Sequence, residues 1–223
     1  MLGKEETGRF ERFESLEKNG VWILRRRHSK ENIVLKELRR ATLDEIERRK
    51  GLPKTMAQRI RGPTFRHFVP ASSSPKIERL AGNLVRDILS SSKEMSKLRV
   101  LESTCIVSES GAKAQDAHSD GDYDAKKITI TAFVALQDIL DEGMGPTFFV
   151  PRTHAPRWFS GGKWEPPSKH GSDAKRGAIW LPLGSGDCVF MNGALWHYGG
   201  ACGRKEIYRA LFSFTLVEEI KGA

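Results

Sequence analysis

No apolar run in this chain approaches the ~20 residues a helix needs to cross a bilayer, so the sequence offers no membrane-spanning helix. Cysteine is scarce and unpatterned. Cys105, Cys188 and Cys202 are odd in number and no two stand at a CxxC spacing, which argues against a disulfide framework and a zinc ribbon. They read as reduced thiols. The segment MLGKEETGRFERFESLEKNG is too charged for a secretory signal, and the expectation is an intracellular, cytoplasmic protein. Signatures of the common RNA- and DNA-binding modules are missing, and there is no internal repeat. The net charge of +9 is scattered in groups such as Arg25-Arg26-Arg27, Arg39-Arg40 and Arg48-Arg49-Lys50. That pattern fits a solvated basic surface better than a nucleic-acid site, so nucleic acid is the disfavoured partner.

What is present is an ordinary globular composition, 39% hydrophobic and 29% charged over 223 residues, a length that all-β barrels and sandwiches occupy as one domain. A single domain over 1–223 is expected, with residues 1–97 mostly helical support and 98–217 the β core. Residues 30–50 carry a loose helical stripe of Ile33, Leu38, Leu43 and Ile46, closed by Gly51 and Pro53. The stretch GLPKTMAQRIRGPTFRHFVPASSSP reads mainly as loop, and its end supplies Ser74 as a cap and Pro75 as a first helical residue. Ile77, Leu80, Ala81, Leu84, Val85, Ile88 and Leu89 then repeat at the spacing of a helix packed on a sheet. From Leu98 onward, β-branched and aromatic runs are broken by Gly, Pro, Asp and Asn, the pattern of a sandwich or jelly roll. In KKITITAFVAL, Ile128 and Ile130 alternate with Thr129 and Thr131, so one face of that strand is apolar and the other carries hydroxyls.

Two positions apart on extended backbone, His118 and Asp120 in AHSDGDY point the same way and can grip one ion. His197, in GDCVFMNGALWHYGG, follows a later strand-like run that a jelly roll brings beside an earlier one. Two imidazoles and a carboxylate on one face leave open positions suited to non-haem iron(II) and oxygen. Arg209 lies twelve residues after His197 in the alternating run IYRALFSFTL. An outward arginine there is a surface residue; an inward one presents a planar fork matched to a carboxylate.

The order Gln115, His118, Asp120 and Tyr123, then TAFVALQD, MGPTFFVPRTH, GD with WH, and a strand arginine resembles the phytanoyl-CoA dioxygenase-like branch of the 2-oxoglutarate oxygenases. The resemblance spans roughly residues 100–216. It implies a mainly β fold with flanking helices, a cupin-like double-stranded β-helix or jelly roll. It implies that His118, Asp120 and His197 bind iron(II) and that Arg209 pairs with the distal carboxylate of 2-oxoglutarate, with O2 as co-reactant and ascorbate as reductant in vitro. Thr131 is then a second contact to the cosubstrate, and Gln115 lines the pocket near the ligands. Halogenating relatives replace the carboxylate ligand with a small residue, so the presence of Asp120 argues for hydroxylation-type chemistry. The motif departs from the commoner form at Arg152, where a glycine is usual; Arg152 reads as a surface arginine, with a substrate clamp as the alternative.

Residues 155–178 lack periodicity and form the expected lid, with Trp158 and Trp164 as apolar cover and Lys163, Lys169, Lys175 and Arg176 as partners for a negative substrate; a surface insertion is the alternative. Trp180 and Trp196 read as core, and His154 as a structural histidine of its turn. An anionic small molecule is the favoured substrate class. The competing readings are a zinc or manganese cupin-like enzyme, a jelly-roll binding protein without turnover, and a nucleic-acid- or protein-directed oxygenase.

Overall fold

A computed structural model describes residues 16, 18–25, 32–50, 65–90, 98–121, 127–154, 159–160, 163–164, 175, 177–203, 205 and 208–219. Two helices and two facing sheets account for most of them. In chain order the strands are β1 (Val21–Leu24), β2 (Arg66–Pro70), β3 (Arg99–Ser108), β4 (Lys127–Ala135), β5 (Thr147–Phe149), β6 (Phe159–Ser160), β7 (Lys163–Trp164), β8 (Ile179–Trp180), β9 (Cys188–Asn192), β10 (His197–Gly199) and β11 (Arg209–Glu219). The helices are α1 (Ile33–Lys50) and α2 (Pro75–Ser90). The large sheet has the order β1-β9-β4-β11-β3-β2 and the small one β10-β5-β8, and every pairing is antiparallel. This is the antiparallel jelly-roll architecture expected from the sequence.

Alternation along each strand sorts its side chains between two environments. On β11, Ala210, Phe212, Phe214 and Leu216 join Ile130, Ala132 and Val134 of β4 and Cys105 and Val107 of β3 in the core beneath the helices. Their neighbours face the small sheet, where Phe133, Ala135 and Leu211 meet Phe149 and Leu183. Burying a Phe or Leu contributes about 1.5–3 kcal/mol, so a one-residue slip of β11 would forfeit several such terms and bury Arg209 among apolar side chains. Register is thereby fixed, and with it the position of every inward polar residue.

The helices cover the outer face. Ser74 Oγ accepts from Ile77 N at 3.2 Å, the expected cap of α2, and Ile77, Leu80, Ala81, Leu84, Val85 and Ile88 are buried in one stripe. Asn32 Oδ1 caps α1 by accepting from Val34 N at 3.0 Å, and Arg48, Arg49 and Lys50 occupy its last turn, where the helix dipole favours cations.

Three expectations are corrected. The stripe of α1 is Leu35, Leu38, Ala41, Thr42, Glu45 and Ile46, whereas Ile33 is 69% exposed because it opens the helix on its outer side. The segment read as loop contains β2, which pairs with β3. The N-terminal third also supplies β1, paired with β9, so the sheet does not begin at residue 98.

Candidate metal centre and cosubstrate pocket

His118 and His197 lie opposite each other in an isolated antiparallel bridge, closed by His118 N to His197 O at 2.9 Å and His197 N to His118 O at 2.8 Å. Backbone pairing, rather than chance side-chain placement, therefore brings the two imidazoles to a centroid separation of 4.5 Å. Asp120, two residues on, sets Oδ1 3.5 Å from His197 Nε2. Ligand atoms of His118, Asp120 and His197 all lie within 4.8 Å of one another. The two-residue spacing predicted the shared direction of His118 and Asp120, and His197 joins them as the family resemblance implied.

The rings are oriented for ligation. His118 Nδ1 is 2.8 Å from the Asp116 carbonyl and His197 Nδ1 is 3.1 Å from the Leu195 carbonyl. A nitrogen facing a carbonyl oxygen carries the proton, which leaves each Nε2 as a lone-pair donor. Burial pulls the His197 imidazole below its ordinary pKa, against the opposing pull of the Asp120 charge, and so favours the neutral form a metal requires. Thr131 Oγ1 donates to Asp120 Oδ2 at 2.8 Å, leaving Oδ1 toward the imidazoles.

A cavity of about 230 Å³ runs from this cluster between the sheets, and Thr131, Phe133, Thr147, His197 and Arg209 line it. Arg209 opens β11 and points inward, 2% exposed. Its Nη1 donates to Thr147 Oγ1 at 3.1 Å and its Nη2 to Ser108 Oγ at 3.0 Å, while the buried Nε has no hydrogen-bond partner. Arg66 is buried beside it, giving Nε to the same Ser108 Oγ at 2.8 Å and Nη2 to the Gly200 carbonyl at 2.9 Å. Among the described residues no carboxylate is ion-paired with either guanidinium. Burial, reinforced by the neighbouring Arg66 charge, lowers the Arg209 pKa to about 9. A buried cation without a counter-charge costs several kcal/mol; an anion entering the cavity removes that cost. The donor set of two imidazoles, one carboxylate and a separate unneutralised guanidinium fits iron(II) chelated by a dicarboxylate.

Of the other expected residues, Gln115 lines the cavity and its Oε1 accepts from Gly199 N at 2.9 Å, which holds β10, the strand that carries His197. Arg152 is outside the cavity lining and exposed. Its φ is 70°, the left-handed conformation that explains why glycine is usual at this place in the motif. Thr153 Oγ1, next in the chain, accepts from Trp196 N at 2.9 Å. His154 is buried beneath Gly20, Trp196 is 1% exposed in the core, and Trp180 lies in β8. Trp158 lies outside the described residues, and of Trp164 only the backbone is described, paired with Phe159. Lys175 places Nζ 4.6 Å from the Tyr198 ring centroid; Lys169 and Arg176 lie outside the described residues and Lys163 is described only as backbone. Sequence reasoning missed Arg66, Ser108 and Thr147. Thr147 stood inside the MGPTFFVPRTH motif and Ser108 opposite Arg209 in the strand register, but Arg66 stood in a stretch read as loop.

Fold and site together define a jelly-roll, non-haem iron oxygenase that uses 2-oxoglutarate. The chain belongs to the phytanoyl-CoA dioxygenase (PhyH) family, whose model matches residues 21–204. No curated protein matches the sequence. Among solved structures it is similar to the non-heme alpha ketoglutarate dependent carbocyclase SnoK from nogalamycin biosynthesis, at 20% identity over 93% of this chain and 83% of that chain, TM-score 0.68. The epimerase SnoN in complex with Fe3+, alpha ketoglutarate and nogalamycin RO is similar at 17% identity, 96% and 86% coverage and TM-score 0.64. HygX from Streptomyces hygroscopicus with nickel and 2-oxoglutarate bound is similar at 17% identity, 92% and 85% coverage and TM-score 0.63. No helix among the described residues is long and apolar enough to cross a membrane.

Proposed function

We propose that His118, Asp120 and His197 hold iron(II), that Arg209 receives the distal carboxylate of 2-oxoglutarate, and that the enzyme hydroxylates an unactivated C–H bond of a small molecule. The observation that carries this reading is the carboxylate-free guanidinium of Arg209, buried in the same cavity as the three ligand atoms. When bound, iron and 2-oxoglutarate supply oxidative decarboxylation to succinate and carbon dioxide, with one oxygen atom delivered to the substrate.

The chain's own contribution is positioning and exclusion of water. Ser108 and Thr147 fix the guanidinium plane, so that its fork meets a carboxylate arriving along the cavity. Thr131 fixes the Asp120 carboxylate; this is its assigned role, with the cosubstrate contact a second one across the cavity. Gln115 fixes the strand that carries His197. Phe133 and Leu211 form apolar wall between metal ligands and arginine, which strengthens every charge interaction there.

The test is succinate formation and oxygen consumption by the protein given iron(II), ascorbate and 2-oxoglutarate, beside His118→Ala and Arg209→Ala. Slow uncoupled turnover lost in both variants supports the reading. No turnover, together with no binding of 2-oxoglutarate by calorimetry, overturns it in favour of a cupin-like metal protein. Product mass then separates hydroxylation from the ring closure and epimerisation named for the solved relatives.

A further inference from the structure

The cavity is polarised along its length. Arg209, Leu211, Ser213 and Thr215 all line it from β11, and the six steps along the strand from Arg209 to Thr215 span roughly 20 Å at ~3.4 Å per residue. At the closed end Arg209 is paired in register with Ser108, and both are buried. Outward from there Ser213 stands opposite Thr104, and Thr215 opposite Glu102. Glu102 is exposed and Thr104 half-buried on the outer half of β3, so this is the mouth. Thr131 of β4 is in register with Thr215 from the other side and holds Asp120. Glu102 and Thr131 thus flank Thr215 at one level, two strand spacings or about 10 Å apart. A molecule entering past Glu102 reaches the metal ligands before it reaches Arg209.

The chemistry of the two ends is opposite. The closed end offers the buried Arg209 guanidinium, with Arg66 behind Ser108 and outside the lining; the mouth offers the Glu102 carboxylate and the hydroxyls of Thr104, Ser213 and Thr215, and Phe68, 41% exposed, lines the stretch between them at the level of Ile106 and Leu211. The Glu102 carboxylate accepts a long hydrogen bond from Thr215 Oγ1 at 3.5 Å, and among the described residues no cation is ion-paired with it. An anion docked here would set two acceptor-only carboxylates together in a partly desolvated cleft. A positively charged group relieves the same carboxylate. The chain's net charge of +9 does not reverse this, because exposed charges are screened beyond a Debye length of ~8 Å, whereas a ligand at Glu102 is in contact.

We propose that the prime substrate is an amine-bearing, hydroxylated small molecule. Glu102 accepts from its ammonium group, the three hydroxyl residues bond its hydroxyls, and Phe68 covers its carbon frame. This deepens the oxygenase reading and rests on it. It also replaces the anionic substrate expected from the basic residues of the 155–178 segment.

The experiment uses the full chain with zinc in place of iron, 2-oxoglutarate present, and a pH below the pKa of the amine. Saturation-transfer NMR with glucosamine, N-acetylglucosamine and glucuronic acid compares a cation, a neutral molecule and an anion on one ring. Glucosamine is expected to bind about tenfold tighter than the other two, the scale of one hydrogen bond to a charged group. Glu102→Gln removes that preference, and Glu102→Lys transfers it to glucuronic acid. Preference of the wild type for glucuronic acid, a glucosamine preference untouched in Glu102→Gln, or no binding by any probe overturns the proposal. Binding of 2-oxoglutarate is measured on the same sample by calorimetry, so failure of the oxygenase reading is seen separately from failure of the amine assignment.

Discussion

Thr131 gives its hydroxyl proton to Asp120 at 2.8 Å, which ties the central strand of the pocket to the carboxylate of the metal centre. Thr131→Val keeps the shape and removes the donor, leaving Oδ2 of Asp120 free to rotate. The expected result is a fall of ten- to a hundredfold in metal affinity, the usual cost of losing a hydrogen bond to a ligand, measured by titration with iron(II) or manganese(II). Thr131→Ser should keep most of the affinity. Equal affinity in Thr131→Val and wild type would show that the bond does not orient the ligand.

Arg209 supports a prediction with two readouts of opposite sign. Burial depresses its pKa from the ordinary arginine value to about 9, so between the folded and unfolded values the unfolded chain binds more protons than the folded one and stability rises with pH. Below pH 9 the charge is present in both states and its burial penalty is paid in full. Arg209→Met should therefore raise the melting temperature of the ligand-free protein near neutral pH while abolishing 2-oxoglutarate binding. In the wild type, cosubstrate affinity should weaken as pH rises past about 9. A variant that loses both stability and affinity would mean the guanidinium is a structural strut.

The ligand triad was legible because its parts are local rules: a two-residue spacing on extended chain, a histidine at a strand end, and an arginine at an alternating position. Alternation also gave β11 and β4, a bounded apolar run gave β9, and cap plus stripe gave α2, since those signals are carried by the residues of the element itself. What escaped is what depends on distant chain. Arg66 looks like any loop arginine until β2 pairs with β3, and only then does it share Ser108 with Arg209. Ile33 matches the helical period of α1, but among the described residues no element covers the outer side of that first turn. Glu102 carries no signal of its own in the sequence; its place at the cavity comes from its register opposite Thr215, distant in the chain.

Arg152 occupies a left-handed backbone position, φ 70°, that costs a side chain roughly 1–2 kcal/mol relative to glycine. Glycine surrenders about 0.5–1 kcal/mol of that in chain entropy. Arg152→Gly is accordingly expected to stabilise the fold slightly, by up to ~1 kcal/mol or a rise of about 2–4 °C in melting temperature, with 2-oxoglutarate turnover unchanged. A loss of stability in calorimetry would show that the side chain's own contacts outweigh the strain, and a loss of coupled turnover would revive the substrate-clamp reading.

Through Arg49, Glu45 links the end of α1 to the turn that follows β2. Its carboxylate accepts from Arg48 Nε and Nη2 at 2.8 and 2.7 Å and from Arg49 Nε at 2.8 Å, and Arg49 reaches on to Ser73 Oγ at 2.6 Å. The hydrogen bonds from Arg48, and then those from Arg49, hold the Glu45 pKa at about 2, against the upward pull of burial. Because the folded value lies below the unfolded 4.5, this stabilisation is fully present above pH 4.5 and is lost as pH falls toward 2. Glu45→Gln should lower the melting temperature at neutral pH and flatten its dependence on pH across that acid window, since the variant has no proton to take up there. Parallel acid profiles for variant and wild type would place the acid sensitivity elsewhere, with Glu109 the next carboxylate to test: burial is the largest single influence on it and raises its pKa, but Lys50 and His67 together outweigh that and lower it.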